Sequence, residues 1–152
     1  MKYILASKSP RRSEILLKAG FKFKVIPSNI DESKISINLT PKDYCVELAK
    51  LKAYDIANKN KNCTIIGSDT IVYINNSILN KPKNFNDAKK MLSMLSNNTH
   101  SVLTGVSIVN INEKIDFNFY ESTEVSFYKI SDLEIENYIN KFKPYDKAGS
   151  YG

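Results

Sequence analysis

Asp69 sits within Thr64-Ile65-Ile66-Gly67-Ser68-Asp69-Thr70-Ile71-Val72-Tyr73-Ile74, a run otherwise rich in β-branched and small residues. A carboxylate in such a setting costs free energy unless a cation or hydrogen bonds compensate it. A divalent ion would do so, as would a strand-end position facing a cleft; a bulge or a solvent-facing site is the structural alternative. A second chemical cluster is Ser7-Lys8-Ser9-Pro10-Arg11-Arg12. Arginines in the first turn of a helix oppose its dipole, and an anion placed among them removes the conflict. Guanidinium forks match phosphate oxygens well. A solvated arginine pair on a surface turn stays open as the other reading. Lys52 falls inside an apolar stripe rather than opposite it, where lysines also occur by snorkelling. Lys81 precedes Pro82, which fixes the chain direction after it. Asp31 and Glu32 lie in a polar stretch and are uninformative alone. Asp146 and Lys147 lie beside Gly149 and read as a surface turn. His100 is the only histidine, which leaves no basis for a Ser-His-Asp triad or a multi-histidine metal site.

These groups need elements to hold them. Tyr3 to Ala6 reads as a short buried strand. Ser9 is placed as a helix cap, Pro10 suits the first helical position, and the helix is expected to run to Gly20. Phe21 to Val25 alternates like a half-buried strand, and Pro27 to Asn38 reads as a loop. Thr40 is placed to cap the next helix, with Asp43 three residues on for a capping box. On that helix Cys45, Leu48, Ala49, Lys52 and Ile56 share one stripe. Thr64 to Ile74 is a strand, and Asn75-Asn76 suits a tight hairpin into Ile78-Leu79. Asn84 to Ser96 is an amphipathic helix using Ala88, Met91, Leu92 and Leu95. Strands are expected over about 100–111 and 117–128. Ser131 and Glu134 form a capping box for a helix burying Ile135, Tyr138 and Ile139. Helices alternate with strands while the hairpins forbid an all-parallel sheet, so the fold expected is α/β with a mixed, twisted central sheet flanked by helices.

The chain has 152 residues, 42% of them hydrophobic and 25% charged, an ordinary balance for a globular domain with its own core. The net charge of +6 favours anionic partners, nucleotides or nucleic acid. Cys45 and Cys63 sit beside apolar residues, have no ligand spacing and read as buried reduced thiols. No apolar run reaches the roughly 18 residues needed to span a bilayer, and the N-terminal apolar stretch is too short for a signal peptide to be expected. A cytoplasmic location is the expectation, with no membrane partner. With five glycines and neither a P-loop nor GxGxxG, phosphate binding would fall to the Ser7–Arg12 helix start and to side chains.

Read in order, Ser7-x-Ser9-Pro10-Arg11-Arg12, Asp31-Glu32, Glu47-Leu48-Ala49 with Lys52-Ala53, and Gly67-Ser68-Asp69-Thr70-Ile71-Val72 form a series. It continues with Leu79-Asn80-Lys81-Pro82, His100-Ser101-Val102-Leu103-Thr104-Gly105-Val106 and Asp146-Lys147-Ala148-Gly149-Ser150-Tyr151-Gly152. The series resembles the Maf family of nucleoside triphosphate pyrophosphatases over essentially the whole chain. Family members continue past the Tyr-Gly pair into Ile-Gln-Gly, so 1–152 is expected as a single Maf-like domain, C-terminally short relative to the family.

The resemblance implies a fold of two lobes around a cleft and hydrolysis of a nucleoside triphosphate to the monophosphate and pyrophosphate. It implies Asp69 as proton acceptor, with Glu32 and Asp69 as ligands of Mg2+ or Mn2+. It places Ser7, Ser9, Arg11, Arg12, Lys52 and Lys81 on the nucleotide, Thr70 at a position linked to substrate selection, and Asp146 and Lys147 at the cleft. Asp69-Thr70 is similar to the subgroup acting on dTTP and UTP, and Arg12 points the same way. For His100 a structural hydrogen bond is expected. Two other classes are weighed: a non-catalytic interaction protein, consistent with the family's association with septum formation, and a basic nucleic-acid-binding domain. No stable nucleic-acid partner is expected, and a homodimer is the assembly left open.

Overall fold

The computed structural model describes residues 2–32, 35 and 39–152. The element order is β1 (Tyr3–Leu5), α1 (Pro10–Lys18), β2 (Phe23–Val25), α2 (Pro41–Ala57), β3 (Thr64–Ile74), β4 (Ser77–Leu79), α3 (Phe85–Leu95), β5 (Thr99–Asn110), β6 (Ile115–Ser126) and α4 (Asp132–Phe142). A short 3-10 turn, Ala148–Ser150, follows. The strands hydrogen-bond in the order β2-β1-β3-β5-β6, with β4 also on β3. β1 pairs in parallel with β2 and β3, whereas β3 and β4 are antiparallel, so the sheet is mixed as the hairpin argument requires. The loop expected over 27–38 falls partly outside the described residues. None of the described helices is long and apolar enough to cross a membrane.

Two compact units divide the chain: Met1–Asp69 with Thr104–Glu121, and Thr70–Leu103 with Ser122–Gly152. In the first, Ile4, Ala6, Ala53, Ile56, Ala57, Ile65 and Val109 form one core. α2 is the element that matters most here. Its cap is Thr40, whose side chain accepts the Asp43 N–H and donates to the Asp43 carboxylate at 2.5 Å. Its stripe of Cys45, Leu48, Ala49, Lys52 and Ile56 is buried, as the spacing predicts. Two glycines let this helix lie directly on the strands. A Cβ on Gly67 would overlap the Ala49 carbonyl oxygen and stand 2.8 Å from the Ala53 nitrogen; one on Gly105 would overlap the Cys45 carbonyl and stand 2.7 Å from the Val46 nitrogen. No side chain fits between α2 and the sheet at these points. α1 by contrast buries none of its residues, and it stops at Lys18, short of the expected Gly20. Gly20 takes φ +82, and its N–H bonds the Leu17 carbonyl, so it ends the helix rather than extending it.

The second unit is assembled from local signals. Asn75 and Asn76 adopt φ of 49 and 56, the left-handed pair of a tight hairpin between β3 and β4. Val72, Ile74, Leu79 and Leu95 form one cluster, and Ala88, Leu92, Ile135 and Ile139 another. The Ser131–Glu134 capping box at the start of α4 is present in both directions. Lys89 ties α3 to α4, 2.7 Å from Glu136 and 3.4 Å from Asp132.

Candidate active site

Asp69 is the last residue of the first unit and comes from mid-β3; it is only 8% exposed. Lys52 reaches it from α2, which Gly67 and Gly105 hold against the sheet. Lys52 Nζ stands 2.5 Å from Asp69 Oδ1 and donates a hydrogen bond to it. The same ammonium stands 2.9 Å from Glu32 Oε1. Two carboxylates from separate segments therefore converge on one cation. The Lys52 and Asp69 side chains are nearly buried, whereas Glu32 is half exposed.

The phosphate-type cluster adjoins this trio. Ser7 is buried at the end of β1, and its Oγ accepts from the Ser9 N–H at 3.2 Å and from Arg12 Nη1 at 3.0 Å. Ser9 holds the cap position in extended conformation without a side-chain cap; its N–H turns back to Ser7 instead. Ser7 thereby fixes both the start of α1 and the Arg12 guanidinium. Arg12 feels the charges of Asp69, Arg11 and Glu32, whereas Arg11 is exposed.

Charge and burial compete in this cluster. Burial pushes the Asp69 carboxyl above the usual range; Lys52 and Arg12 pull it back, and Glu32 adds to the rise. Burial likewise lowers Arg12, against the pull of Asp69, yet a guanidinium stays charged at neutral pH. The neighbouring Cys45 thiol is pushed up to about 11, by burial first and by Asp69 second, so it remains protonated. Its Sγ lies 3.2 Å from the Lys42 carbonyl oxygen as a donor. Cys63 is half-buried rather than buried as expected, and both thiols are free.

The remaining predicted residues belong to the second unit. Thr70 follows Asp69 and is half-buried; Lys81 is exposed just beyond β4. Asp146 and Lys147 pair with each other at 2.7 Å. His100 is buried, with Nε2 2.6 Å from the Tyr151 hydroxyl and edge-on ring contacts to Phe127 and Tyr151. That geometry is the structural hydrogen bond expected of it. Sequence reasoning missed Gly67 and Gly105 as positioning residues. A glycine two places before Asp69 in a β-branched run was the available signal for the first of them.

Among the described residues no group of three or more His, Cys, Asp or Glu side chains gathers as a metal site. Glu32 and Asp69 supply oxygens converging on one cation, and Mg2+ is commonly held by one or two carboxylates with waters and substrate phosphates completing its shell. The donor set fits such an ion.

The fold matches solved structures at low sequence identity. A HAM1 protein from Coxiella burnetii superposes with TM-score 0.56 at 17% identity, covering 83% of this chain and 72% of that one. The Staphylococcus aureus Ham1 protein gives 0.59 at 14%, covering 87% and 73%. The class is thus the α/β fold of these proteins, with a mixed six-stranded sheet and four α-helices among the described residues. The chain belongs to the Maf-like protein family, whose model matches residues 2–152. Its relatives include a dTTP/UTP pyrophosphatase of Bacillus pumilus (strain SAFR-032), 47% identical over 149 residues, 98% of this chain and 77% of that protein. Another is a dTTP/UTP pyrophosphatase of Clostridium perfringens, 43% identical over 153 residues, 100% of this chain and 80% of that protein.

Proposed function

We propose that the chain is a nucleoside triphosphate pyrophosphatase that hydrolyses dTTP and UTP to the monophosphate and pyrophosphate. The observation that carries the reading is the convergence of Glu32, Lys52, Asp69 and Arg12 within the first unit. It occurs in a chain that relatives named dTTP/UTP pyrophosphatase match over nearly its whole length.

In this reading the Asp69 carboxylate accepts a proton from water as that water attacks the α-phosphorus. The bond from the α-phosphorus to the bridging oxygen breaks, and pyrophosphate leaves with the electron pair. Burial suits Asp69 to the task, because it raises proton affinity above that of a solvated carboxylate. Arg12, held by Ser7, offers donors to phosphate oxygens, and Ser7 and Ser9 shape the turn that presents it. Mg2+ or Mn2+ on Glu32 and Asp69, when bound, would supply positive charge against the charge developing on the phosphates. Positioning and charge, rather than a covalent intermediate, are what phosphoryl chemistry chiefly needs. Arg11, Lys52, Thr70, Lys81, Asp146 and Lys147 carry over as substrate-binding residues on the family match. Free nucleotide substrates and two free thiols favour a cytoplasmic location.

The test is pyrophosphate release by purified protein with dTTP, UTP, CTP and 7-methyl-GTP, with Mg2+ or Mn2+. Release from dTTP and UTP above the others is expected. Salt-sensitive binding to unrelated duplexes without any release would replace the enzyme with a nucleic-acid-binding protein.

A further inference from the structure

We infer that Lys52 is an exchangeable counter-ion, whose ammonium holds the place between Glu32 and Asp69 until a divalent cation takes it. The inference rests on the pyrophosphatase reading and adds a step to it. A single Nζ serves both carboxylates, at 2.9 and 2.5 Å, in a position where oxygen donors converge. Mg2+ needs carboxylate oxygens at about 2.1 Å, closer than those ammonium contacts. An ion on the same side of these two oxygens would overlap Nζ. Even beside it, two cations sharing two carboxylates would repel strongly where little water screens them. The ammonium and the ion therefore exclude each other.

The surroundings allow the exchange and confine it. Gly67 and Gly105 lock the α2 backbone onto the strands, so the helix cannot withdraw and the motion falls to the Lys52 side chain. A lysine suits this role, having a compact charge on a flexible stem, whereas the Arg12 fork is tied to Ser7. Glu32 is half exposed, which gives an entering ion a first ligand in contact with solvent. Once displaced, the ammonium is left with positive charge to place, and a phosphate oxygen of the nucleotide is the natural partner. Lys52 would thus keep the two carboxylates together before the ion arrives and then turn to the substrate, as a positioning residue.

The test is Mn2+ binding without nucleotide, measured by calorimetry on the wild type, Lys52→Met and Lys52→Arg. Removing the competing ammonium should tighten Mn2+ binding in Lys52→Met by at least about tenfold. Lys52→Arg, which restores a competing cation, should return affinity toward the wild type. Unchanged or weaker binding in a folded Lys52→Met overturns the inference. Should that variant fail to fold, the wild type supplies the second reading through the Lys52 ammonium resonance in NMR, assigned by its loss in Lys52→Arg. Saturating Mg2+ alone should shift this resonance and speed its exchange with water; an unaltered signal overturns the inference. Pyrophosphate release by the wild type from dTTP is followed in parallel. Release with unchanged Mn2+ affinity in the variant removes the exchange and leaves the pyrophosphatase standing. Tighter Mn2+ binding in the variant with no wild-type release supports the exchange and removes the pyrophosphatase.

Discussion

In the first unit the protein buries a charged contact, Lys52 with Asp69, while in the second it buries a neutral one, His100 with Tyr151. Both are short, both join segments distant in sequence, and each takes one partner from a long strand, Asp69 from β3 and His100 from β5. Their energetics differ. A buried ion pair adds little net stability, yet removing one partner costs about 3–5 kcal/mol, because the other charge is left uncompensated. A neutral hydrogen bond is worth about 1 kcal/mol and suits a purely structural joint. Burial alone therefore does not mark chemistry. In the first unit it is the gathering of opposed charges, with Glu32 and Arg12 around the pair, that no stability argument requires.

The charged contact is most vulnerable at the packing that supports it. Gly67→Val would drive a side chain into the α2 backbone and should cost at least about 4 kcal/mol, enough to unfold a marginal domain. Chemical denaturation measures it, and a small change in midpoint would show that α2 is free to move. Asp69→Asn should lower kcat/KM for dTTP by at least about 10² in protein that far-UV circular dichroism shows to be folded. Near-normal turnover would exclude Asp69 as the proton acceptor. His100→Gln should cost about 1–2 kcal/mol and leave kcat/KM unaltered, since its contacts stay within an aromatic cluster.

His100 also gives a pH signature. Burial lowers its pKa from the ordinary 6.5, so below pH 6.5 the unfolded chain binds more protons than the folded one. The stability it contributes is present above that pH and is lost as pH falls through the depressed folded value. Melting temperature should therefore drop on acidification below 6.5 in the wild type, and less so in His100→Gln. Equal slopes would remove His100 as the group responsible.

Much of this was legible in the residues, for local reasons. The Asn75-Asn76 hairpin, the Ser131–Glu134 box and the buried stripe of α2 each follow from spacing within a few residues. Lys52 and Asp69 each stood out as charges in apolar runs, but their pairing across 17 positions did not, because it depends on where α2 meets the sheet. The same holds for His100 and Tyr151, which are 51 positions apart. Ser9 was readable as a cap position, yet its side-chain role passed to Ser7, whose place at the end of β1 is set by the parallel pairing of that strand. The unequal fates of Arg11 and Arg12, one exposed and one turned toward Ser7, follow from the helix phase of α1 and were not separable in an arginine pair.

Attack of water on the α-phosphorus of dTTP leaves an isotopic record that oxygen tracing can read. Hydrolysis by the wild-type protein in 18O-enriched water, with products read by mass spectrometry, should place one label in each dTMP and none in pyrophosphate. Label in the pyrophosphate, or formation of dTDP with inorganic phosphate, would contradict the account.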